Sequence, residues 1–237
     1  MKRNTAFSII LLTICLFCKA QSKRNQIKII LTAALIDKHF EGRKKEYIKS
    51  IETIKSFEYE PYIVESCKKG PSFLDEYSTN ICYAYIQNPH VQKGVDEARS
   101  LLKACNCFNF DDEDMIIKLT GRYCFTNNYF INLVESLTDT DAVVRYWPHR
   151  KGSIFTGCFA MKYKYLKQML RRYIKEVEIF RKKYGTNKIY IIEYSAASYI
   201  DKLIEAGKKV LFIEEINLQA KIFHSGKNYE TKKIEYY

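Results

Sequence analysis

Two cationic side chains follow an apolar run near the middle of the chain, four residues apart. The run and its continuation read IIKLTGRY over residues 116–123, so that Lys118 and Arg122 bracket Thr120 and Gly121. Arginine offers a fork of N–H donors that matches phosphate oxygens, and lysine adds a point charge. Gly121 lets the backbone turn tightly or approach a ligand closely. These residue types and their spacing predict a strand that ends in a site for an anionic group.

Two other segments bring polar side chains to the neighbourhood of a helix start. Residues 93–99 (KGVDEAR) open a predicted helix with Lys93, Asp96 and Glu97, and residues 152–160 (GSIFTGCFA) precede a long basic helix. Together with residues 116–123, these are the segments in which we expect the chemistry of the protein to lie.

An acidic run over residues 111–114 (DDED) is the competing candidate for a metal site. It precedes a predicted strand and so lies at the amino end, whereas ligands of a parallel sheet bind at the carboxyl ends of its strands. Runs of charge are also commonly exposed. We therefore interpret this run as a solvated acidic turn, and no histidine or cysteine spacing in the sequence indicates a metal centre.

Alternating strands and helices must position these segments. β-Branched and apolar stretches predict strands, and apolar residues at helical spacing predict helices. We predict strands at 26–34, 61–64, 114–119, 141–147 and 210–213, and helices at 42–57, 91–105, 127–137, 163–184 and 189–203. This alternation indicates an α/β fold with a mainly parallel central sheet flanked by helices. Polar residues directly after each strand are then the ones expected near a ligand.

Length and composition agree with one globular domain. The chain has 237 residues, of which 47% are hydrophobic and 28% charged, which excludes wholesale disorder and allows one proper core. We expect a single α/β domain over 26–226 and a polar tail over 227–237. The net charge of +12 favours anionic partners, such as nucleic acid, phosphorylated small molecules or acidic glycans.

The first twenty residues have the pattern of a secretory signal peptide. Lys2 and Arg3 precede an uncharged apolar run over 6–18, and residues 18–20 (CKA) suit cleavage after Ala20. A bilayer span needs about 20 apolar residues, so a retained short anchor is the second interpretation. We expect an exported chain (periplasmic, secreted or luminal) or one anchored to a membrane by its uncleaved N-terminal segment. Six cysteines follow Ala20, an even number that permits disulfides in an exported protein.

Taken in order, four segments resemble those of a group of small glycosyltransferases with a GT-A-like, nucleotide-sugar-binding fold. They are Arg43 with Tyr47 after the first strand, KGVDEA at 93–98, IIKLTGRY at 116–123 and FTGCFA at 155–160. IIKLTGRY is the most specific of the four, and the others gain weight from their order. The resemblance covers about residues 27–226.

The resemblance implies transfer of a sugar from a nucleotide-activated donor to a hydroxyl of a glycan or lipid-linked acceptor. It implies substrate binding by Thr32, Ala33 and Arg43 near the nucleotide, by Glu65 at the base or ribose, by Lys93, Asp96 and Glu97 along the donor pocket, and by Lys118, Thr120, Gly121 and Arg122 at the strand end. No nucleic-acid partner is expected, and the uncleaved leader would allow peripheral membrane association.

The strand end departs from the family pattern in one respect. GT-A enzymes usually carry an Asp-x-Asp motif there, whose carboxylates hold a divalent ion that neutralises the diphosphate leaving group. This chain has Lys-Leu-Thr-Gly-Arg over 118–122 instead. One positioned donor can stabilise developing negative charge by about 3–4 kcal/mol. We therefore expect no divalent metal and no other cofactor, with Lys118 and Arg122 on the phosphates.

Transfer with inversion also needs a carboxylate or a histidine to take the proton of the acceptor hydroxyl. We assign this role to Glu193 or Asp141, ahead of Asp139 and His149. Glu193 has a second interpretation, in which it lies in the first turn of a helix and interacts favourably with the helix dipole. A retaining enzyme can do without such a base, so the stereochemistry is left open.

Two other functions remain consistent with the sequence. The first is a binding module of the same fold, which holds a nucleotide or glycan without turnover because the missing Asp-x-Asp marks lost catalysis. The second is nucleic-acid binding, because tyrosines alternate with lysines and arginines along 163–184. Leu166, Met169 and Leu170 keep helical spacing in that segment, which favours an amphipathic helix packed on the core.

Overall fold

The chain folds around a central sheet. The computed structural model describes residues 27–35, 40–86, 93–147, 152–185, 190–226 and 229–236, so the predicted leader and His149 lie outside the described residues. The strands are β1 (Ile27–Ala33), β2 (Tyr62–Glu65), β3 (Ile81–Tyr83), β4 (Met115–Thr120), β5 (Tyr123–Phe125), β6 (Ala142–Arg145), β7 (Cys158–Lys162), β8 (Val210–Ile213), β9 (Leu218–Gly226) and β10 (Tyr229–Tyr236). The helices are α1 (Phe40–Ser56), a short 3₁₀ helix (Phe73–Glu76), α2 (Lys93–Cys107), α3 (Tyr129–Ser136), α4 (Tyr163–Tyr184) and α5 (Ile192–Glu205).

Seven strands form the main sheet, in the order β3-β2-β1-β4-β7-β6-β8. β1 pairs in parallel with β2 and β4, β2 pairs in parallel with β3, and β6 does so with β8. Within this sheet β7 alone runs antiparallel, between β4 and β6. The predicted α/β fold with a mainly parallel central sheet is confirmed.

The strand order opens a crevice between β1 and β4. From β1 the chain moves outward through β2 and β3 on one side, and it then returns to start β4 on the other side. The loops that leave the carboxyl ends of β1 and β4 therefore diverge, and ligands of such sheets bind at this point. The apolar sequence of β1, IKIILTA, is almost entirely buried, and the strand lies next to β4, the central strand of the sheet.

Helices cover both faces of this sheet. Ile30 and Ile116 belong to a core with residues of α2, α4 and α5, whereas their neighbours Leu31 and Ile117 belong to a second core with residues of α1 and α3. Successive side chains of a strand point to opposite faces, so a sheet covered on both sides needs continuous apolar runs. The predicted flanking helices are therefore present on both sides.

A second, three-stranded sheet has the order β10-β9-β5. It is attached to α1, where Ser50 Oγ donates a hydrogen bond to the carbonyl of Tyr123 in β5 at 2.9 Å. β10 pairs antiparallel with β9 and lies within residues 227–237, the segment predicted as a polar tail. β9 and β10 thus form an antiparallel pair outside the main sheet.

The long basic helix α4 is amphipathic. Its residues Leu166, Met169, Leu170 and Tyr173 are buried in the core. Most of its lysine and arginine side chains lie on the opposite side of the helix, which is more exposed to solvent. The predicted packing of this helix on the core is confirmed. No helix in the described part of the chain is long and apolar enough to cross a membrane.

A polar network joins α4 to α5. The carboxylate of Glu176 accepts hydrogen bonds from Arg172 Nε at 2.5 Å, from Ser195 Oγ at 2.5 Å and from Tyr190 Oη at 3.1 Å. Although burial opposes its ionisation, the hydrogen bonds of Ser195 and Arg172 lower the pKa of Glu176. Because Ser195 lies in the first turns of α5, this network fixes where that helix begins.

Removal of this carboxylate should loosen the start of α5. We expect Glu176→Ala to lower the free energy of unfolding by about 1–3 kcal/mol, because the buried Ser195 hydroxyl and the Arg172 guanidinium lose their shared acceptor. Urea unfolding measures the loss. Glu178→Ala is the matched control, since Glu178 is exposed on the same helix. Equal losses in the two variants would contradict a positioning role for Glu176.

Candidate active site

A cavity of about 480 Å³ lies at the carboxyl ends of β1, β2 and β4. Parallel strands end at the same edge of a sheet, so residues from distant parts of the sequence meet there. The lining residues are Thr32, Ala33, Ala34, Arg43, Tyr47, Val64, Ser66, Cys67, Lys93, Asp96, Glu97, Ser100 and Arg122. The structure thus brings together most residues that the sequence analysis placed around a donor.

α1 holds the loop after β1 in place. The Tyr47 hydroxyl accepts a hydrogen bond from the Ala34 N–H at 2.9 Å, and Arg43 Nη1 donates one to the Ala34 carbonyl at 2.8 Å. Burial is the main reason that the pKa of Tyr47 is raised, so this phenol is neutral. The backbone of the loop is therefore satisfied by α1, and the guanidinium of Arg43 borders the cavity.

Gly121 allows the turn after β4 to pack against β1. Its N–H donates a hydrogen bond to the Thr32 carbonyl at 2.8 Å. A Cβ at this position would lie 2.5 Å from the Tyr47 ring and 2.7 Å from the Thr32 carbonyl oxygen, closer than atoms can approach. The glycine thus has a packing role, and its small size brings the next residue, Arg122, into the cavity wall.

One carboxylate is contacted by three side chains from two strands, β1 and β4, at the base of the cavity. Glu97 Oε1, in the first turns of α2, lies 2.7 Å from Lys118 Nζ and accepts a hydrogen bond from Thr32 Oγ1 at 2.8 Å. Thr120 Oγ1 donates to the same oxygen at 3.3 Å. Lys118 Nζ also donates to Thr120 Oγ1 at 2.6 Å and to the Thr156 carbonyl at 2.8 Å.

This cluster keeps Glu97 ionised. Burial alone would raise the pKa of Glu97, but the charge and hydrogen bond of Lys118, with the hydroxyls of Thr32 and Thr120, outweigh it and lower the pKa. The Glu97 side chain retains 29% of its surface exposed, on the cavity side, whereas that of Lys118 is only 3% exposed. The pair therefore presents a fixed carboxylate to the cavity and hides its ammonium.

The sequence analysis placed Lys118 and Thr120 against a ligand, and the structure corrects this placement. Neither residue lines the cavity. The Lys118 ammonium lies inside the sheet because its three partners replace the water that a surface lysine would have. Lys118 is thus a positioning residue for Glu97, and Arg122 is the cation of this strand end that reaches the cavity.

GT-A enzymes usually hold a divalent metal at this strand end, and the residues at this cavity do not fit one. Asp96 and Glu97 are the two carboxylates among its lining residues. A lysine ammonium 2.7 Å from Glu97 Oε1 repels a cation, and Asp96 lies 3.9 Å from the guanidinium of Arg99. No group of three or more His, Cys, Asp or Glu side chains in the described segments could hold a metal ion.

Positive charge predominates along the rest of the wall. Arg43, Lys93 and Arg122 line the cavity, and neither Lys93 nor Arg122 forms an ion pair with any described residue. The N-terminus of α2 lies there too, and the macrodipole of a helix favours anions at this end. The cavity is therefore suited to a ligand that carries phosphate groups.

Glu65 was predicted to face a base or a ribose, and the structure places it elsewhere. Its side chain is fully buried, and Oε1 accepts hydrogen bonds from the N–H groups of Leu35, Cys67 and Lys68 at 3.2, 2.6 and 3.2 Å. Burial raises its pKa despite these bonds. Glu65 thus ties the loop after β1 to the loop after β2 from inside the protein and does not line the cavity.

Asp141 does not reach the cavity either. It directly precedes β6, and β6 is parallel to β1 and β4, so Asp141 lies at the opposite, amino-end edge of the sheet. Its carboxylate lies 3.0 Å from Lys162 Nζ and accepts a hydrogen bond from the Lys209 N–H at 3.0 Å. Asp141 is therefore a structural residue, and we do not carry it into the proposed function.

Glu193 lies at the same edge as the cavity without lining it. It is in the first turn of α5, and its carbonyl accepts a hydrogen bond from the Ile154 N–H at 3.3 Å. Burial, followed by the carboxylates of Glu193 and Glu97, raises the pKa of Tyr173. A Cβ at Gly94 would lie 3.1 Å from the Tyr173 hydroxyl, which places Tyr173 beside the start of α2. Glu193 therefore lies near Tyr173, which is itself beside the start of α2, the helix whose first turns line the cavity.

The sequence analysis missed three lining residues for which a signal existed. Ser66 and Cys67 directly follow β2, so the rule that ligands bind at the carboxyl ends of strands would have selected them. Ser100 lies one helical turn after Asp96, on the same side of α2, and its hydroxyl donates to the Asp96 carbonyl at 2.8 Å.

Solved structures with some similarity to this chain are glycosyltransferases. A glycosyltransferase involved in the glycosylation of the major capsid of PBCV-1 is 13% identical, with a TM-score of 0.49 over 79% of this chain and 82% of that one. The apo form of GlyE from Streptococcus pneumoniae TIGR4 is 13% identical, with a TM-score of 0.42 over 78% and 44%. The galactosyltransferase LgtC, in complex with donor and acceptor sugar analogues, is 13% identical, with a TM-score of 0.46 over 78% and 72%. No protein-family model and no curated protein matches the chain.

Loss of the buried ammonium should destabilise the protein strongly. We expect Lys118→Met to lower the free energy of unfolding at pH 7 by about 3–5 kcal/mol, because Glu97 is left with an uncompensated charge. Glu97 has a lowered pKa in the folded state, so its contribution is present above its unfolded pKa and is lost as the pH falls through the folded value. The difference in free energy of unfolding between wild type and variant should therefore be smaller in acid.

Urea unfolding at pH 7 and pH 4 measures this gap. Lys164→Met is the matched control, because Lys164 pairs with the exposed Glu113 at the surface and should cost little. A Lys118→Met variant as stable as Lys164→Met, or a gap that widens in acid, would refute the role given to the buried pair.

Proposed function

We propose that this protein is a glycosyltransferase that moves a sugar from a nucleotide-activated donor to an acceptor hydroxyl without a divalent metal. The observation that carries the proposal is the convergence of Arg43, Lys93, Arg122 and the N-terminus of α2 on one cavity at the switch point of the sheet. The four segments of the sequence that resemble those of small glycosyltransferases also support the proposal.

In this proposal the diphosphate of the donor lies between Arg122 and the N-terminus of α2. Arg122 and Lys93 stabilise the negative charge that develops as the sugar–phosphate bond breaks. The loop Thr32-Ala33-Ala34 with Arg43 lies along the nucleotide. Glu97, held by Lys118, accepts hydrogen bonds from hydroxyls of the donor, for which a fixed carboxylate is suited.

The acceptor approaches from the side of α5. We propose that Glu193 takes the proton of its hydroxyl, as an inverting transfer requires. The acceptor is a glycan or a lipid-linked saccharide, and the predicted leader would place the reaction outside the cytosol or at a membrane surface.

Loss of the Arg122 guanidinium should weaken nucleotide binding. We expect Arg122→Gln to raise the dissociation constants of UDP, GDP, ADP or CDP, whichever the protein binds, about 10- to 100-fold, because charge-assisted hydrogen bonds to phosphate are lost. Titration calorimetry in EDTA measures the change. Arg171→Gln removes the same charge from the exposed side of α4, near the other end of α2, and should leave affinity unchanged.

Calorimetry, together with an assay of donor hydrolysis, tests the glycosyltransferase assignment and the metal-independent mechanism separately. If none of the nucleoside diphosphates binds, with or without Mn²⁺, the glycosyltransferase assignment is wrong. If binding and donor hydrolysis require Mn²⁺, only the metal-independent mechanism is wrong. Binding without slow hydrolysis of any nucleotide sugar would favour the alternative of a non-catalytic module.

Glu193 should affect turnover and leave nucleotide binding intact. We expect Glu193→Gln to lower kcat for sugar transfer about 10²- to 10⁴-fold, since general base catalysis contributes this much, with no change in nucleoside diphosphate affinity. Glu205→Gln, exposed at the far end of the same helix, is the control. Full activity in Glu193→Gln would exclude it as the base.

A further inference from the structure

The outward side of α4 carries a straight row of cations. Lys164, Arg171, Lys175 and Lys182 are spaced seven, four and seven residues apart. At about 3.6 residues per turn, these spacings place the four side chains on one line along the helix, and the row is about 27 Å long. The opposite side of α4 is buried in the core. The row therefore points away from the body of the protein.

Most of this row has no counter-charge within the protein. Lys164, at the start of the helix, pairs with Glu113. Arg171, Lys175 and Lys182 are exposed, and none of them forms an ion pair with any residue that the structure describes. The charge of these three side chains is therefore available to a partner.

The second half of α4 extends beyond its neighbour α2. The Tyr163 hydroxyl donates a hydrogen bond to the Cys105 carbonyl, near the end of α2, at 2.5 Å. Ten residues later, the Tyr173 hydroxyl lies beside Gly94, at the start of α2. The two helices are thus antiparallel, and residues 174–184 continue past the turns of α2 that line the cavity. This half of the row lies at the edge of the sheet where the cavity is.

Two large apolar side chains are exposed on the same half of α4. Ile179 is 57% exposed and Tyr184 is 52% exposed. Ile179 is four residues after Lys175 and three before Lys182, so it adjoins both cations on the helix surface. An isoleucine cannot bond to the phosphates or base edges of a nucleic acid. It gains free energy by insertion among lipid chains, and tyrosine is enriched where bilayers meet water.

We propose that the outward side of α4, from Arg171 to Tyr184, is a docking surface for a bilayer that contains anionic phospholipids. The inference goes beyond the proposed function and does not rest on it. Lysine and arginine can bury their carbon stems while their charged groups stay among the lipid phosphates, and the apolar side chains enter the interface. Docking in this way would hold the cavity edge of the protein close to the membrane.

Vesicle flotation of the full chain tests the charged part of the surface. Binding should be stronger to vesicles of phosphatidylcholine with phosphatidylglycerol than to phosphatidylcholine alone, and salt should weaken this preference. Each cation near an anionic surface contributes about fivefold to the partition coefficient. We therefore expect the combined variant Arg171→Gln, Lys175→Gln and Lys182→Gln to lower partition into the anionic vesicles about 100-fold.

A second combined variant controls for net charge. Lys45, Lys49 and Lys55 are exposed on α1, which covers the other face of the sheet. Their replacement by glutamine removes the same charge and should leave partition within about fivefold of wild type. All six side chains are exposed on helices, so both variants should fold.

A tryptophan on the surface tests the contact itself, whatever the predicted leader contributes to vesicle binding. We expect the fluorescence of Ile179→Trp to shift to shorter wavelength when anionic vesicles are added, because the indole leaves water. Lys45→Trp, on the other face, should show no shift beyond that of wild type, in which Trp147 is the single tryptophan.

Three outcomes would overturn the proposal. In the first, the α4 variant and the α1 variant bind anionic vesicles equally well, so position on the protein does not matter. In the second, Ile179→Trp shows no larger shift than Lys45→Trp. In the third, the α4 variant keeps its binding to vesicles but loses affinity for double-stranded DNA or RNA, which would make α4 a nucleic-acid-binding surface instead.

Discussion

A lysine ammonium inside a β-sheet is the constraint on which the rest of the site depends. Lys118 stands in the apolar strand β4, and its charge is tolerated only because Glu97 of α2, Thr120 and the carbonyl of Thr156 surround it. A buried ion pair adds little net stability, yet removal of one partner is costly, so such a pair favours one arrangement over others. Here it sets α2 against β4, and Thr32 joins β1 to the same carboxylate.

The pair also decides the electrostatics of the cavity. Lys118 neutralises most of the charge of Glu97, so the positive potential of the cavity wall comes from Arg43, Lys93 and Arg122 and from the start of α2. A carboxylate that is fixed and neutralised can accept hydrogen bonds without repelling an anionic ligand strongly. In the proposed function, one cavity could therefore accept both phosphate groups and sugar hydroxyls.

Sequence patterns were sufficient for features that follow from strand direction. The resemblance placed Thr32, Arg43 and Arg122 around one ligand, and the rule of carboxyl ends explains why Thr32 and Arg122 lie at one edge of the sheet, because parallel strands end together. The patterns could not tell whether Lys118 or Glu65 points inward, since this depends on partners distant in sequence. Asp141 opens the predicted strand 141–147 and directly precedes β6 in the structure, so the same rule already places it at the amino-end edge, away from the cavity. The β9–β10 hairpin was missed because polar residues give it no apolar pattern.

The single antiparallel strand explains why the segment FTGCFA belongs to the site. Because β7 runs against its neighbours, its amino end reaches the edge where β4 and β6 have their carboxyl ends. Thr156 and Gly157, just before β7, therefore contact the end of β4, where Gly157 accepts a hydrogen bond from the Thr120 N–H at 2.8 Å. A parallel strand at this position would instead bring its carboxyl-terminal residues to this edge of the sheet. The reversal joins the half of the sheet that carries β1 and β4 to the half that carries β6, and Glu193 of α5 and Glu97 of α2 both lie close enough to Tyr173 to raise its pKa, after the larger effect of burial.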